Sequence, residues 1–225
     1  MTHKQLRLWN KVLEELFGDM LRFIYPSPGE YLDMERGFEF MVAQVEKGVD
    51  PEEDYSDDMV RTVVKASGPD GEENWLFVYG EGVGGENLAE QMFLHISLVS
   101  YRSKRWVRPW VIFLDMGAGA DYRPWTDSSN PERIRYDLFR FLDHSDEMLA
   151  TSDNPFALAV LAAKKGLLKG RVTEAELLEQ KTGVAALILA REELAPRKRE
   201  ALLNLLREVV ELDEKSEKVF GERVG

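Results

Sequence analysis

The chain contains no cysteine. This excludes disulfides, thiolate metal ligands and a cysteine nucleophile, and it gives no reason to expect export. Histidine is nearly as scarce: His3, His95 and His144 lie far apart and offer no zinc-ligand spacing. No Ser-His-Asp arrangement can be proposed from them. No apolar run approaches the roughly 18 residues that a bilayer-spanning helix requires. The opening Met1-Thr2-His3-Lys4-Gln5 leads straight into an amphipathic pattern and lacks the charged, apolar and small-residue order of a signal peptide. The expectation is a soluble, cytoplasmic protein with no membrane partner.

Positive charge is also in short supply. Lysine and arginine number 29 against 41 acidic residues, a net charge of −12. Nucleic-acid affinity comes mainly from cations that displace phosphate counterions, so a nonspecific DNA coat is disfavoured. A local basic patch, a bound cation or a protein partner stays open. What the chain does have is a 44% apolar fraction, enough for a core, and 31% charged residues, as in helix-rich proteins. Its 225 residues suit one domain with a helical extension or two small domains.

Periodicity places the elements. Leu6, Trp9, Leu13, Leu16, Met20 and Ile24 recur at helical steps over Lys4 to Ile24, and Tyr25-Pro26-Ser27-Pro28-Gly29 stops the helix. From Tyr31 to Lys47 the pattern is ambiguous, with Phe38, Phe40 and Val42 alternating like a strand. Asp50 to Asp58 reads as an acidic loop. Met59 to Ala66 is a Val- and Thr-rich strand, Ser67 to Gly71 a turn, and Asn74 to Val83 a second strand. Apolar residues on both faces of this second strand predict a central position in a sheet. Gly80, Gly82, Gly84 and Gly85 mark its end as a place of close backbone approach. Asn87 to Ser100 is helical and Val107 to Met116 is a third strand parallel to the second, which together form a βαβ crossover. Helices are then expected from Asn130-Pro131 through Ile134, Leu138, Phe141 and Leu142, from Asn154-Pro155 to about Gly166, after a Thr173–Glu176 capping box, and over Lys198 to Leu212.

The arrangement that carries chemistry is Asp58, strand, turn, strand, Glu81. With the hairpin in register about Pro69-Asp70, both carboxylates lie near the same end of adjacent strands. Converging carboxylates hold Mg²⁺ or Mn²⁺, which favour oxygen ligands, activate water and stabilise phosphoryl charge. The plainer alternative makes Asp58 a strand cap and Glu81 a loop carboxylate among glycines. Glu14 and Glu15 on the first helix are candidates for a third carboxylate, although exposed helix glutamates are common. Arg102, Lys104, Arg105 and Arg108, interleaved with Trp106, form a candidate phosphate-contact edge. The same cations also suit a helix end by complementing its macrodipole. The glycines from Gly80 to Gly85 match neither dinucleotide-binding nor P-loop spacing.

Taken in order, the pieces resemble a family. They are Asp58-Met59-Val60, Gly71 to Glu81, Leu88-Ala89-Glu90-Gln91-Met92-Phe93, Val111 to Asp115, Tyr122-Arg123-Pro124-Trp125 and Asn154-Pro155-Phe156-Ala157. Their succession over most of the chain is similar to the PD-(D/E)xK nuclease-like proteins of recombination-promoting nuclease and transposase type. The resemblance implies an α/β fold: a restriction-endonuclease-like mixed sheet flanked by helices over residues 1–150, then a helical segment over 151–225. It implies Asp58 and Glu81 as ligands of Mg²⁺ or Mn²⁺, with the Gly82 carbonyl as a further ligand, and DNA as substrate. Two residues after the glutamate such enzymes carry Lys or Gln, which orients the attacking water and stabilises charge. Here the position is Val83, and an alkyl group can do neither. Tyr79-Gly80-Glu81 also stands where relatives tend to show His-Ile-Glu. The expectation is therefore a divergent metal-dependent DNA endonuclease. The alternative is a catalytically inactive relative that binds a paralogue or a second copy of itself through its helical tail.

Overall fold

The computed structural model describes residues 2–41, 60–81, 88–104, 109–117 and 136–224. The chain is α/β, with a five-stranded mixed open sheet and seven α-helices among the described residues. It divides into two compact units, one over Ser27–Phe139 and one combining Thr2–Pro26 with Arg140–Gly225. This differs from the expected division at residue 150, because the first helix packs among the C-terminal helices.

The sheet unit holds strands β1 (Phe38–Phe40), β2 (Val60–Ser67), β3 (Glu73–Glu81), β4 (Pro109–Asp115) and β5 (Tyr136–Arg140), in the spatial order β1-β2-β3-β4-β5. The β2–β3 hairpin is antiparallel and runs in register from Ser67↔Glu73 to Val60↔Gly80. Its turn is closed by Gly68 N–H donating to the Glu72 carbonyl at 2.7 Å and by Gly71 N–H donating to the Gly68 carbonyl at 3.0 Å. Gly71, at φ +81°, adopts a conformation that glycine enters without steric cost. β4 lies parallel to β3, reached through helix α2 (Leu88–Arg102), so the expected crossover is present.

β3 is central, as its two apolar faces require. Trp75, Phe77 and Tyr79 pack with Val63, Val111 and Phe113 against Met92, Ile96 and Val99 of α2. On the other face Val60, Thr62, Val64, Leu76, Val78, Ile112 and Leu114 are buried too.

One expected element is corrected. The segment ending in Leu138 and Phe141 is not a helix over its described part: it is the strand β5, followed by a 3₁₀ turn at Phe141–Asp143. Short apolar runs carry both periods, and here edge pairing decides. Leu138 packs on the cluster beneath α2, and the Trp110 indole donates to Asp137 at 3.1 Å. Residues 130–135 lie outside the described residues.

The helical unit contains α1 (His3–Ile24), α3 (Asp146–Thr151), α4 (Pro155–Gly166), α5 (Glu174–Leu189), α6 (Pro196–Val209) and α7 (Glu214–Val224). α1 starts with a Thr2–Gln5 capping box and buries Leu6, Trp9, Leu13, Leu16 and Met20, the residues its period predicts. The central helix is α4, apolar all round and buried from Phe156 to Ala163, as a helix enclosed by others must be. The Thr173–Glu176 box opens α5 as expected. No helix among the described residues is long and apolar enough to cross a membrane.

Candidate functional site

The carboxyl ends of β3 and β4 form the place where the sheet brings acidic residues together. Glu81 and Asp115 are register partners, the last residues of two adjacent parallel strands. Next to this pair the Met116 side chain lies over Gly80, its methyl 2.5 Å from where a Cβ would stand. Asp115 continues the alternation of Val111 and Phe113 and is buried, with 3% of its surface exposed. Its Oδ1 accepts the Gly117 N–H at 3.0 Å, which fixes the chain just beyond the strand. A buried carboxylate is expensive unless it is hydrogen-bonded or holds a cation, so its position at a strand end is informative.

Beneath α2 and two residues before Glu81, the Tyr79 hydroxyl and His95 Nδ1 share a hydrogen bond of 3.0 Å. The imidazole also stands edge-on to Phe77, with centroids 6.0 Å apart. Burial, helped by the charge of Arg61, pushes the His95 pKa down to about 4. Burial raises the Tyr79 phenol well above its ordinary range, and Arg61 opposes that shift. Both groups are therefore neutral near pH 7. Arg61 is the register partner of Tyr79 on β2.

The candidate residues are distributed as follows. Asp58, Gly82 and Val83 lie outside the described residues. Val60, two positions after Asp58, faces Gly80, the residue before Glu81. Glu14 and Glu15 belong to the helical unit, where both pair with Lys11, at 3.5 and 2.9 Å. Arg102 ends α2, and Lys104, exposed, takes φ +54° just after it. Arg105 and Arg108 lie outside the described residues. Among the described residues no group of three His, Asp or Glu side chains is placed to hold a metal.

Three features escaped the sequence reading of the site. Asp115 had a usable signal, a single carboxylate ending an otherwise apolar strand. The Tyr79–His95 pair had none, since nothing in the spacing of residues 79 and 95 fixes the rotation of α2. Lys181, a buried ammonium in the helical unit, reads in the sequence as an ordinary helix lysine.

The Asn154-Pro155-Phe156-Ala157 element has a structural explanation. The Asn154 side-chain oxygen accepts the Phe156 N–H at 2.9 Å, and its amide donates to the Asp19 carbonyl at 2.9 Å, so one side chain caps α4 and ties it to α1. No family model matches the chain, and no curated protein or solved structure does either.

Proposed function

We propose that this chain is a divergent member of the PD-(D/E)xK nuclease-like proteins, with a restriction-endonuclease-like core and metal-dependent phosphodiester hydrolysis of DNA as its chemistry. The observation that carries the reading is the register of Glu81 with Asp115 at the carboxyl ends of adjacent parallel strands. It sits within the order that the resemblance calls for: hairpin ending in glutamate, helix, parallel strand. The donor set suits a hard cation: Asp58, Glu81 and Asp115, with the Gly82 carbonyl, would hold Mg²⁺ or Mn²⁺ through oxygen alone. Bound there, such an ion supplies an activated water and stabilises phosphoryl charge. The Tyr79–His95 bond anchors the strand that ends in Glu81. Arg102 and Lys104, at the end of α2, are the described part of the cluster that would meet phosphate.

Val83 sets the expected level of activity. Loss of one electrostatic contributor of this kind costs about 10²–10³ in rate. The test is nicking of supercoiled plasmid with Mg²⁺ or Mn²⁺ against chelator. Weak metal-dependent nicking is expected, abolished in Asp58→Ala and Glu81→Ala and reduced in Asp115→Asn. No nicking under either metal, in Val83→Lys as well as in the parent, would sink the nuclease reading.

The second reading is a catalytically inactive relative that serves as a protein-interaction module, with a second copy or a paralogue as partner. Val83 and the net charge of −12 favour it. Cleavage that emerges only in Val83→Lys is its signature: an intact scaffold whose chemistry has lapsed.

A further inference from the structure

The hairpin end of the sheet carries a cleft that the nuclease reading does not use. Its volume is about 380 Å³, and its lining includes Arg36, Phe38, Glu39, Lys65, Ser67 and Glu73. Glu73 opens the nine-residue strand β3 and Glu81 closes it, so the two ends lie about 27 Å apart.

A buried indole organises the cleft. Trp75, 5% exposed, donates from Nε1 to the Glu73 carboxylate at 2.5 Å, and the Lys65 ammonium stands 4.8 Å from the centroid of its ring. Lys65 is the register partner of Trp75 on one side and of Glu39 on the other. Opposite charges set against each other on neighbouring strands ordinarily attract and pair. Lys65 and Glu39 do not: the ammonium lies over the indole, and neither side chain has an ion pair or a hydrogen bond among the described residues. At the turn end of the cleft stands Arg36. Its Nε lies 3.6 Å from the Asp33 carboxylate, and its Nη1 lies 3.8 Å from where a Cβ on Gly71 would stand.

The charges decide what fits. Arg36 and Lys65 offset Glu39 and Glu73, so the lining sums to zero. An anion would gain at the two cations and lose at the two carboxylates, in a chain that already carries a net charge of −12. A cation meets the same conflict reversed. A molecule carrying both charges gains at both. Directly opposed residues of antiparallel strands have Cα atoms about 5 Å apart, a spacing that suits an ammonium and a carboxylate borne on one carbon. The volume is that of a small-ligand site.

We propose that this cleft binds a small zwitterion, a free amino acid with an uncharged side chain, its carboxylate on the Lys65 ammonium and its ammonium on Glu39. The site is separate from the carboxylates at the far end of β3 and holds whether or not the chain cleaves DNA.

Saturation-transfer NMR on the full chain tests it, with free alanine, glutamine, leucine and phenylalanine as probes. Saturable binding of at least one is expected. It should weaken by about tenfold or more in Lys65→Met and in Glu39→Gln, since each variant removes one charge-assisted contact. Lys65→Met keeps an unbranched stem over Trp75, and Glu39 is exposed, so neither change disturbs the core. The N-acetylated and the amidated forms of the bound amino acid should lose affinity to a similar degree, because each lacks one of the two charges. No saturable binding by any of the probes would overturn the proposal, and so would binding that both variants keep. An N-acetyl form that binds as well as its parent would make this an anion site and sink the zwitterion assignment. Plasmid nicking enters none of these readouts, so this proposal and the nuclease reading fail independently.

Discussion

The helical unit and the sheet unit bury their cores in opposite ways. In the helical unit the middle is apolar, buried from Phe156 to Ala163 along α4, and polar side chains work at the ends: Thr2, Asn154 and Thr173 cap helices. In the sheet unit the polar groups lie within the layer itself. Tyr79, His95 and Asp115 sit between strands and α2 or at a strand end inside the protein. Caps are ordinary structural chemistry, since every helix end has unpaired amides to satisfy. Polar groups placed inside a layer cost desolvation that an apolar residue would avoid, and such groups cluster where chemistry is done. The contrast therefore assigns stability to one unit and candidate chemistry to the other, with Lys181, paired with Glu217 at 2.6 Å, as the one buried charge among the described residues of the helical unit.

The largest effect should come from the helical core. Phe156→Ala removes a fully buried ring that meets Phe141 edge-on at 6.5 Å. A loss of about 3–5 kcal/mol is expected in urea unfolding followed by far-UV ellipticity. A loss under about 1 kcal/mol would mean that α4 is not the core its burial indicates.

Next in size is an acid sensitivity that belongs to the sheet unit. His95 titrates at about 4 when folded and near 6.5 when unfolded. Between those values the unfolded chain binds the extra proton, so stability falls as pH drops from 6.5 towards 4. The shift corresponds to roughly 3 kcal/mol. Unfolding midpoints of the parent and His95→Phe, compared at pH 7 and pH 4.5, isolate this contribution. The variant should lose less stability on acidification. Equal losses in both would remove the histidine from the account and weaken the contrast between the units.

How much of this could be read in the sequence divides along the same line. α1, α4, α5, the β2–β3 hairpin and the parallel placement of β4 were all legible, because period, caps and turn glycines act locally. The strand β5 was not: Leu138 and Phe141 fit a helical spacing, and only pairing at the sheet edge decides against it. That the central strand ends close to Glu81 was legible from the glycines around it, although the expected strand ran on to Val83. The pairing of Glu81 with Asp115 depends on the stagger between β3 and β4, which a crossover through α2 leaves free in the sequence. Lys181 was invisible for a similar reason, since its burial is created by α7, more than thirty residues downstream. Asn154 shows the converse: a motif easy to recognise in the sequence turns out to tie α4 to α1.

A smaller effect sharpens the packing of the helical unit. A Cβ on Gly166, at the end of α4, would run into the Val209 carbonyl oxygen of α6, which is backbone and cannot step aside. Gly166→Ala should therefore destabilise by about 1–3 kcal/mol, although alanine is the better helix former. An unchanged midpoint would show that α4 and α6 separate easily.

The smallest effect has the opposite sign and comes from the same unit. Gly183 lies inside α5, exposed, with nothing within 4 Å of where a Cβ would stand. Its cost is purely conformational: glycine loses more backbone freedom in a helix than alanine does. Gly183→Ala should raise stability by about 0.5–1 kcal/mol, read as a higher urea midpoint with an unchanged slope. Gly183 is two residues from Lys181, so the variant also stiffens the platform on which α7 sits. If the unfolding slope changes as well, α5 or α7 frays before the rest of the helical unit unfolds, and the unit is less uniform than its shared core implies.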